Sequence, residues 1–327
     1  MTASSARNMI KELRAIFGER LQENVRMANY TTAQVGGPAD ALLIAQSSDE
    51  LENFVRKVWA LDLPLYIIGS GSNLLVSDLG IHGVVIINRA HTIKVNTHVD
   101  PPIVRAESGT ILGTVARQVA LRGLSGMEWA ATIPGTVGGA VYGNAGAQGS
   151  DIKATLELAE ILHRVKDKVS LTSDQMGYAY RSSILKRDPG NAVILAAQFR
   201  LSTSTVEAVQ EKMSEFSSRR RTTQPPGASM GSMFKNPSGD HAGRLIEAAG
   251  LKGTRIGGAV ISTLHANFFV NDQSATTSDV FGLIQLARRT VLEKTGVALE
   301  LEIEMIGDWN ESQPTSKAAK HVKKAGE

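Results

Sequence analysis

The chain has 327 residues, 42% hydrophobic and 20% charged, with a net charge of +3 and no cysteine. These values suit a globular protein of two or three domains, and the lack of thiols excludes disulfides, iron–sulfur clusters and cysteine nucleophiles. Four lysines against two glutamates in 310–327 supply +2 of the charge, so the body is near neutral and shows no nucleic-acid footprint.

The N-terminus lacks the apolar core of a signal peptide, and no apolar run is long enough to span a bilayer. A cytoplasmic protein is expected. Ala6–Leu21 is predicted helical, with Ile10, Leu13, Ile16 and Phe17 on one side. The loop Asn29–Asp40 precedes a strand at Ala41–Ala45. Ser47 to Glu50 then offers a capping box for a helix that places Leu51, Phe54, Val55 and Val58 on one face. A strand at Leu65–Ile68 completes a β-α-β unit and ends in Gly69-Ser70-Gly71-Ser72-Asn73. Glycine and serine directly after a buried strand suit a pyrophosphate, although neither the Rossmann nor the Walker pattern is complete.

Strands follow at Val84–Asn88 and Ile103–Glu107, then a helix at Thr110–Leu121. The stretch Gly126–Gly149 holds seven glycines and one charge, Glu128, with Trp129, Val137, Val141 and Tyr142 interleaved. Glycine at this density adds unfolded-state entropy, and a long ordered loop is usually functional. A ligand cradle is therefore expected, with backbone N–H groups available to an anion.

Three strands (Thr155–His163, Lys168–Leu171, Val193–Leu201) precede an amphipathic helix, Ser204–Arg221. The last region opens with Gly231-Ser232-Met233-Phe234-Lys235-Asn236-Pro237. It continues with a helix His241–Ala249, a strand Asn267–Asn271, a helix Thr277–Thr295 stopped by Gly296, and an alternating strand Ala298–Ile306. The tail 310–327 is polar and non-periodic and reads as disordered.

Several of these motifs, in this order, resemble one family. They are Asn29–Asp40, the GSGSNLL turn, IPGTVGGAVYGNAGA, Tyr178–Ser183, GSMFKNP and Leu301–Glu304. The chain resembles the UDP-N-acetylenolpyruvoylglucosamine reductases from about Asn29 to Gly307, in the shorter subtype without an extra Tyr-bearing loop. Small departures are Met305 where Val is usual after the acidic residue, Ile306 where Arg is frequent, and Ala131-Thr132 where Ala-Gly is common.

The resemblance implies an α+β chain with a two-subdomain FAD-binding fold of the vanillyl-alcohol-oxidase type and a smaller C-terminal α+β substrate domain. The expected limits are an N-terminal helix at 1–28, FAD subdomains at about 29–90 and 91–202, a substrate domain at 203–309 and the tail at 310–327. It also implies non-covalent FAD, NADPH as hydride donor and a nucleotide-sugar substrate of peptidoglycan synthesis. No nucleic-acid or membrane partner is expected. For FAD it points to Gly69, Ser70, Gly71, Ser72, Asn73, Pro134, Gly135, Thr136, Gly138, Gly139, Asn144 and Gly146. Arg181 and Glu304 are expected to stabilise an enolate, and Ser232 to donate a proton. Lys235, Asn236 and His265 are expected at substrate phosphate or carboxylate. Periodicity alone does not separate Glu304 from Glu300 and Glu302.

The seven histidines show no metal-ligand spacing, so no metal is expected, and His82 reads as a loop histidine rather than a flavin anchor. Two rival readings are another FAD oxidase or dehydrogenase of the same fold, and a nucleotide-binding protein without chemistry.

Overall fold

Three sheets of four or five strands organise the chain in the computed structural model, which describes residues 3–309. The tail 310–327 lies outside the described residues. The first sheet has three parallel strands, Pro38–Ala45, Ile81–Asn88 and Leu65–Ile68, with Gln22–Arg26 antiparallel at one edge. The second is antiparallel, in the order Asp167–Thr172, Leu156–His163, Ala192–Arg200, Ile103–Glu107, Ile93–Asn96. The third is antiparallel and joins Ala228–Ser232, Phe268–Asn271, Ala259–Ile261 and Arg255–Ile256.

The helix Ser48–Ala60 is wedged between the first two sheets. Ser47 caps it by accepting from Glu50 N, while the Glu50 carboxylate accepts from Gln46 N, one residue before the position a capping box requires. Leu51, Phe54, Val55 and Val58 share one core with Val84 and Ile86 of the first sheet and Leu162, Val193 and Leu195 of the second. The N-terminal helix, Ala3–Phe17, adds Met9, Leu13 and Phe17 to that core. Ile16, expected to face inward, is 38% exposed, because Met9, Leu13 and Phe17 at i, i+4 and i+8 define the buried stripe.

A buried carboxylate ties these layers together. Glu107, on the second sheet, accepts from Ser48 N at 3.0 Å and from Thr92 N at 2.8 Å. Burial pushes its pKa up, but the backbone N–H donors outweigh burial and hold it below the usual value.

The helix Val206–Thr223 packs on the Glu128–Thr132 turn, and Phe216 joins the core of the second sheet. An expected boundary at 202/203 assigns this helix to the C-terminal unit; its packing partners belong to the second layer. The C-terminal core is built from Met230, Met233, Phe234, Phe269, Ile284 and Val291, with Leu299, Leu301, Ile303 and Met305 of the final segment. That segment is less regular than its alternation predicts: Leu301 makes an isolated bridge to Phe234, and only Glu304–Ile306 is a strand, parallel to Leu74–Val76. Its backbone hydrogen bonds go to two different neighbours in turn, which interrupts a single ladder.

Glu107→Gln is expected to destabilise the protein by about 1–3 kcal/mol at pH 7, the cost of weakening buried charge-assisted hydrogen bonds. Because the folded-state pKa is depressed, the carboxylate's contribution is present above the unfolded pKa and disappears as pH falls through the folded one. Chemical denaturation should therefore show the deficit at pH 7 and a smaller one in acid; a deficit independent of pH would contradict it.

Candidate active site

The turn Gly69–Asn73 and the stretch Pro134–Gly139 abut. Ser72 Oγ donates to Pro134 O at 3.3 Å, and a Cβ on Gly69 would collide with the Thr136 side chain. Gly71 has φ +64° and no room for a Cβ beside the Tyr30 carbonyl, so only glycine serves there. Arg89 holds the Gly69 carbonyl at 3.0 Å. The two expected cofactor loops therefore form one cradle. Ser70 Oγ and Thr110 Oγ1 are buried in it without a hydrogen-bond partner among the described residues. Buried hydroxyls are normally paired, so these two fit a ligand rich in polar groups, as FAD is.

The expected anion nest at the start of helix Val137–Gly143 takes a different form. The N–H groups of Val137 and Gly138 donate to the carbonyls of Thr110 and Ser108, and that of Gly139 donates to Thr136 Oγ1. Close packing explains the glycines here: a Cβ on Gly138 would sit 3.0 Å from Ser108 Cβ. Asn144 is also committed internally. Its amide donates to Asp151 and to Ala179 O, and its carbonyl accepts from Lys153 N. Asn144 thus fastens the end of the glycine stretch to the loop that carries Arg181.

Arg181 has φ +54°, a left-handed conformation that costs a non-glycine residue energy and concentrates at functional sites. Its Nη1 donates to Gly146 O at 3.1 Å. Its Nε lies 2.7 Å from Glu302 Oε1, with the N–H poorly aligned to the oxygen, so the contact is mainly electrostatic. Their side chains are 24% and 15% exposed. Burial pushes the Glu302 carboxyl above the usual range, and the charges of Arg181, Lys186 and Lys235 offset burial only in part.

Glu304 does not meet Arg181; it pairs with Lys186 at 2.6 Å. Alternation alone does not single out Glu302 as the partner of Arg181, because Glu300 and Glu304 share its spacing. One signal was present: if Glu302 is the acidic residue of the motif, the next residue is Ile303, close to the usual Val, in place of Met305.

The final segment draws the pieces together. Glu302 N donates to Met233 O at 3.0 Å, next to Ser232. Glu304 N donates to Asn73 O at 2.9 Å, and Asn73 Nδ2 donates to Glu302 O at 3.3 Å. Ser232 is half-buried at the end of its strand, opposite Phe268. Asn267 anchors the residues that follow, with its side chain bonded to both backbone groups of Phe234 at 2.9 and 2.8 Å.

The three residues expected at substrate have protein partners. Lys235 pairs with Glu300, Asn236 accepts from Ala242 N at 3.1 Å, and His265 Nδ1 accepts from Asn267 N at 3.2 Å. Burial lowers the His265 pKa, favouring the neutral ring. His82 lies in a strand, its ring nitrogens 2.9 Å from Asp40 and 3.2 Å from Asp308.

Residues 39–164 match an FAD binding domain, so the fold is that of a flavoprotein. Residues 223–306 match the C-terminal domain of UDP-N-acetylenolpyruvoylglucosamine reductase. The reductase of Chloroflexus aggregans is 42% identical over 88% of this chain and 97% of its own length. That of Bacillus subtilis is 41% identical over 91% and 98%. A crystal structure of the Thermus caldophilus reductase is similar at TM-score 0.74 and 35% identity, covering 88% of this chain and 98% of that one. The chain belongs to the UDP-N-acetylenolpyruvoylglucosamine reductase family. Among the described residues no helix is long and apolar enough to cross a membrane.

Ser70→Ala should weaken FAD binding about 5- to 100-fold, the range for losing one buried hydrogen bond. It should leave the apoprotein as stable or more stable, since an unpaired buried hydroxyl is removed. Fluorescence titration with FAD and thermal melts of the apoprotein measure both, and unchanged affinity would place Ser70 outside the cofactor contact.

Proposed function

We propose that this protein reduces the enolpyruvyl ether of UDP-N-acetylenolpyruvoylglucosamine to UDP-N-acetylmuramate for peptidoglycan synthesis, in the cytoplasm. Bound FAD supplies the hydride, taken from NADPH and delivered to C3 of the substrate. What the chain's own residues do follows from the charge that then develops. The substrate carboxylate takes on enolate character, and C2 must gain a proton.

The observation that carries the reading is the Arg181–Glu302 pair, half-buried beside Gly146 and bonded through backbone to the Ser232 loop. The Arg181 guanidinium stays charged at any working pH and its fork matches a carboxylate. Glu302, with burial favouring its protonated form, supplies a hydrogen bond to the enolate. We assign to Glu302 the role that the sequence reading gave to Glu304. Ser232 donates the proton to C2. Lys235, Asn236 and His265 contact substrate phosphate or carboxylate after exchanging their present partners.

Purified protein should bleach its flavin with one equivalent of NADPH, and should go on oxidising NADPH only when UDP-N-acetylenolpyruvoylglucosamine is also present. Oxygen consumption with hydroxy acids and no turnover of the nucleotide sugar would favour the oxidase reading instead.

Three variants test the roles. Ser232→Ala should leave flavin bleaching by NADPH near normal and slow reoxidation by substrate about 10²- to 10⁴-fold, the usual contribution of a positioned general acid. Lost FAD with catalysis per flavin preserved would make Ser232 a turn residue only. Glu302→Gln should cost roughly 10²-fold or more in turnover, and Glu304→Gln less than about tenfold at neutral pH, where only a neighbouring charge changes. The reverse ranking would return the role to Glu304. Arg181→Lys keeps charge but loses the fork, so substrate turnover should fall while reduction by NADPH persists.

A further inference from the structure

Charged groups from four elements converge on Glu302. Arg181 reaches it from the Tyr178–Ser183 loop. Lys186, on the short helix Ile184–Arg187, lies close enough to favour its ionised form, and so does Lys235 from the segment after Ser232. Glu300 and Glu304 flank it on the same face of the extended segment, each two residues away, roughly 7 Å between Cα atoms. Tyr142, on Val137–Gly143, completes the titratable set; burial, then the charge of Glu304, pushes its phenol up to about 12.

Both lysines are neutralised by the flanking acids, but in different settings. The Lys235–Glu300 pair is open to water, with Glu300 73% exposed, so solvent screens it. The Lys186–Glu304 pair is more enclosed, at 18% and 32%, and its field on a buried neighbour is less screened. An unpaired ammonium at 186 would pull the proton off Glu302; a paired one does so weakly.

We propose that Glu304 acts on the chemistry through Lys186: by pairing with that ammonium it weakens a cation that would otherwise draw the Glu302 carboxyl toward its ionised form, and so favours a hydrogen bond from Glu302 to the enolate. Glu304 is then a positioning residue for charge, touching neither substrate nor cofactor. The inference rests on Glu302 having the role assigned above.

The test uses FAD-loaded enzyme, reduced first and then mixed with UDP-N-acetylenolpyruvoylglucosamine across a range of pH, with flavin content measured for each variant. Activity should fall as pH rises through the Glu302 pKa. Glu304→Gln frees the Lys186 charge, so that limb should move to lower pH by roughly half a unit to one unit. Lys186→Met removes a cation and leaves Glu304 uncompensated, so the limb should move to higher pH. The double variant should return near the parent, and Lys186→Arg should match it.

A merely structural pair gives lost flavin or lost amplitude with the limb unmoved, or both single variants shifting the same way; either result overturns the proposal. Should Lys186→Met fail to bind FAD, Glu304→Gln against Lys186→Arg still decides it, by a downward shift in the first and none in the second. If Glu302→Gln itself leaves rate and limb unchanged, the assignment of Glu302 fails. If Glu302→Gln abolishes the limb but the Lys186 and Glu304 variants leave it fixed, only the present inference fails.

Discussion

A half-buried guanidinium facing a half-buried carboxylate is the constraint that the site is arranged around. Taking a charge even partly out of water is unfavourable, and a carboxyl can relieve that cost by keeping its proton where a guanidinium cannot. The protein offsets this with Gly146 O as a further partner of Arg181 and with two lysines near Glu302. Burial nonetheless prevails at Glu302, whose carboxyl stays raised. This places one permanent cation beside one carboxyl that burial disposes toward its neutral form.

Carboxylates serve the scaffold in the opposite way. Glu107 receives two backbone N–H donors, and Asp78 receives Thr277 N and Ser278 N at 2.9 and 2.8 Å, fixing the start of the helix Thr277–Thr295 against the first sheet region. Glu128 accepts from Ser125 Oγ and Gly126 N at 2.6 and 2.9 Å and pins the entry to the glycine stretch. At Glu107 and Glu128 donors overcome burial and the pKa falls; at Glu302 no backbone N–H compensates and it rises. The direction in which burial leaves these three carboxyls thus turns on whether backbone N–H groups face them.

Local signals made much of this legible. Thr277–Thr295 matches its expected limits because Thr276 and Asp279 form a capping box and Gly296 closes the helix at φ +71°. Leu65–Ile68 and Ile103–Glu107 also match: the first is an apolar run after Pro64 and before Gly69, the second a short stretch between Pro102 and Gly109. The two glycine loops were legible as a cradle, but the reason for individual glycines was not: whether an N–H is free or taken depends on Ser108 and Thr110, which approach through the fold. Glu302 was hidden for the same reason. Alternation fixes which face a residue takes, and its ion-pair partner Arg181 lies more than a hundred positions away.

The order in which the chain is made matters for this architecture. Asn73 and Glu302 are 229 positions apart, yet they are joined by a hydrogen bond, and Leu74–Val76 has Glu304–Ile306 as a strand partner. Contacts of such separation form late, because the intervening chain must be ordered first. During synthesis the two layers that cradle flavin emerge while the segment carrying Glu302 is still unmade. A nascent chain that stalls early thus lacks the backbone partners that Asn73 and Leu74–Val76 find in the final segment, so the turn ending in Asn73 is completed only when the chain is nearly whole.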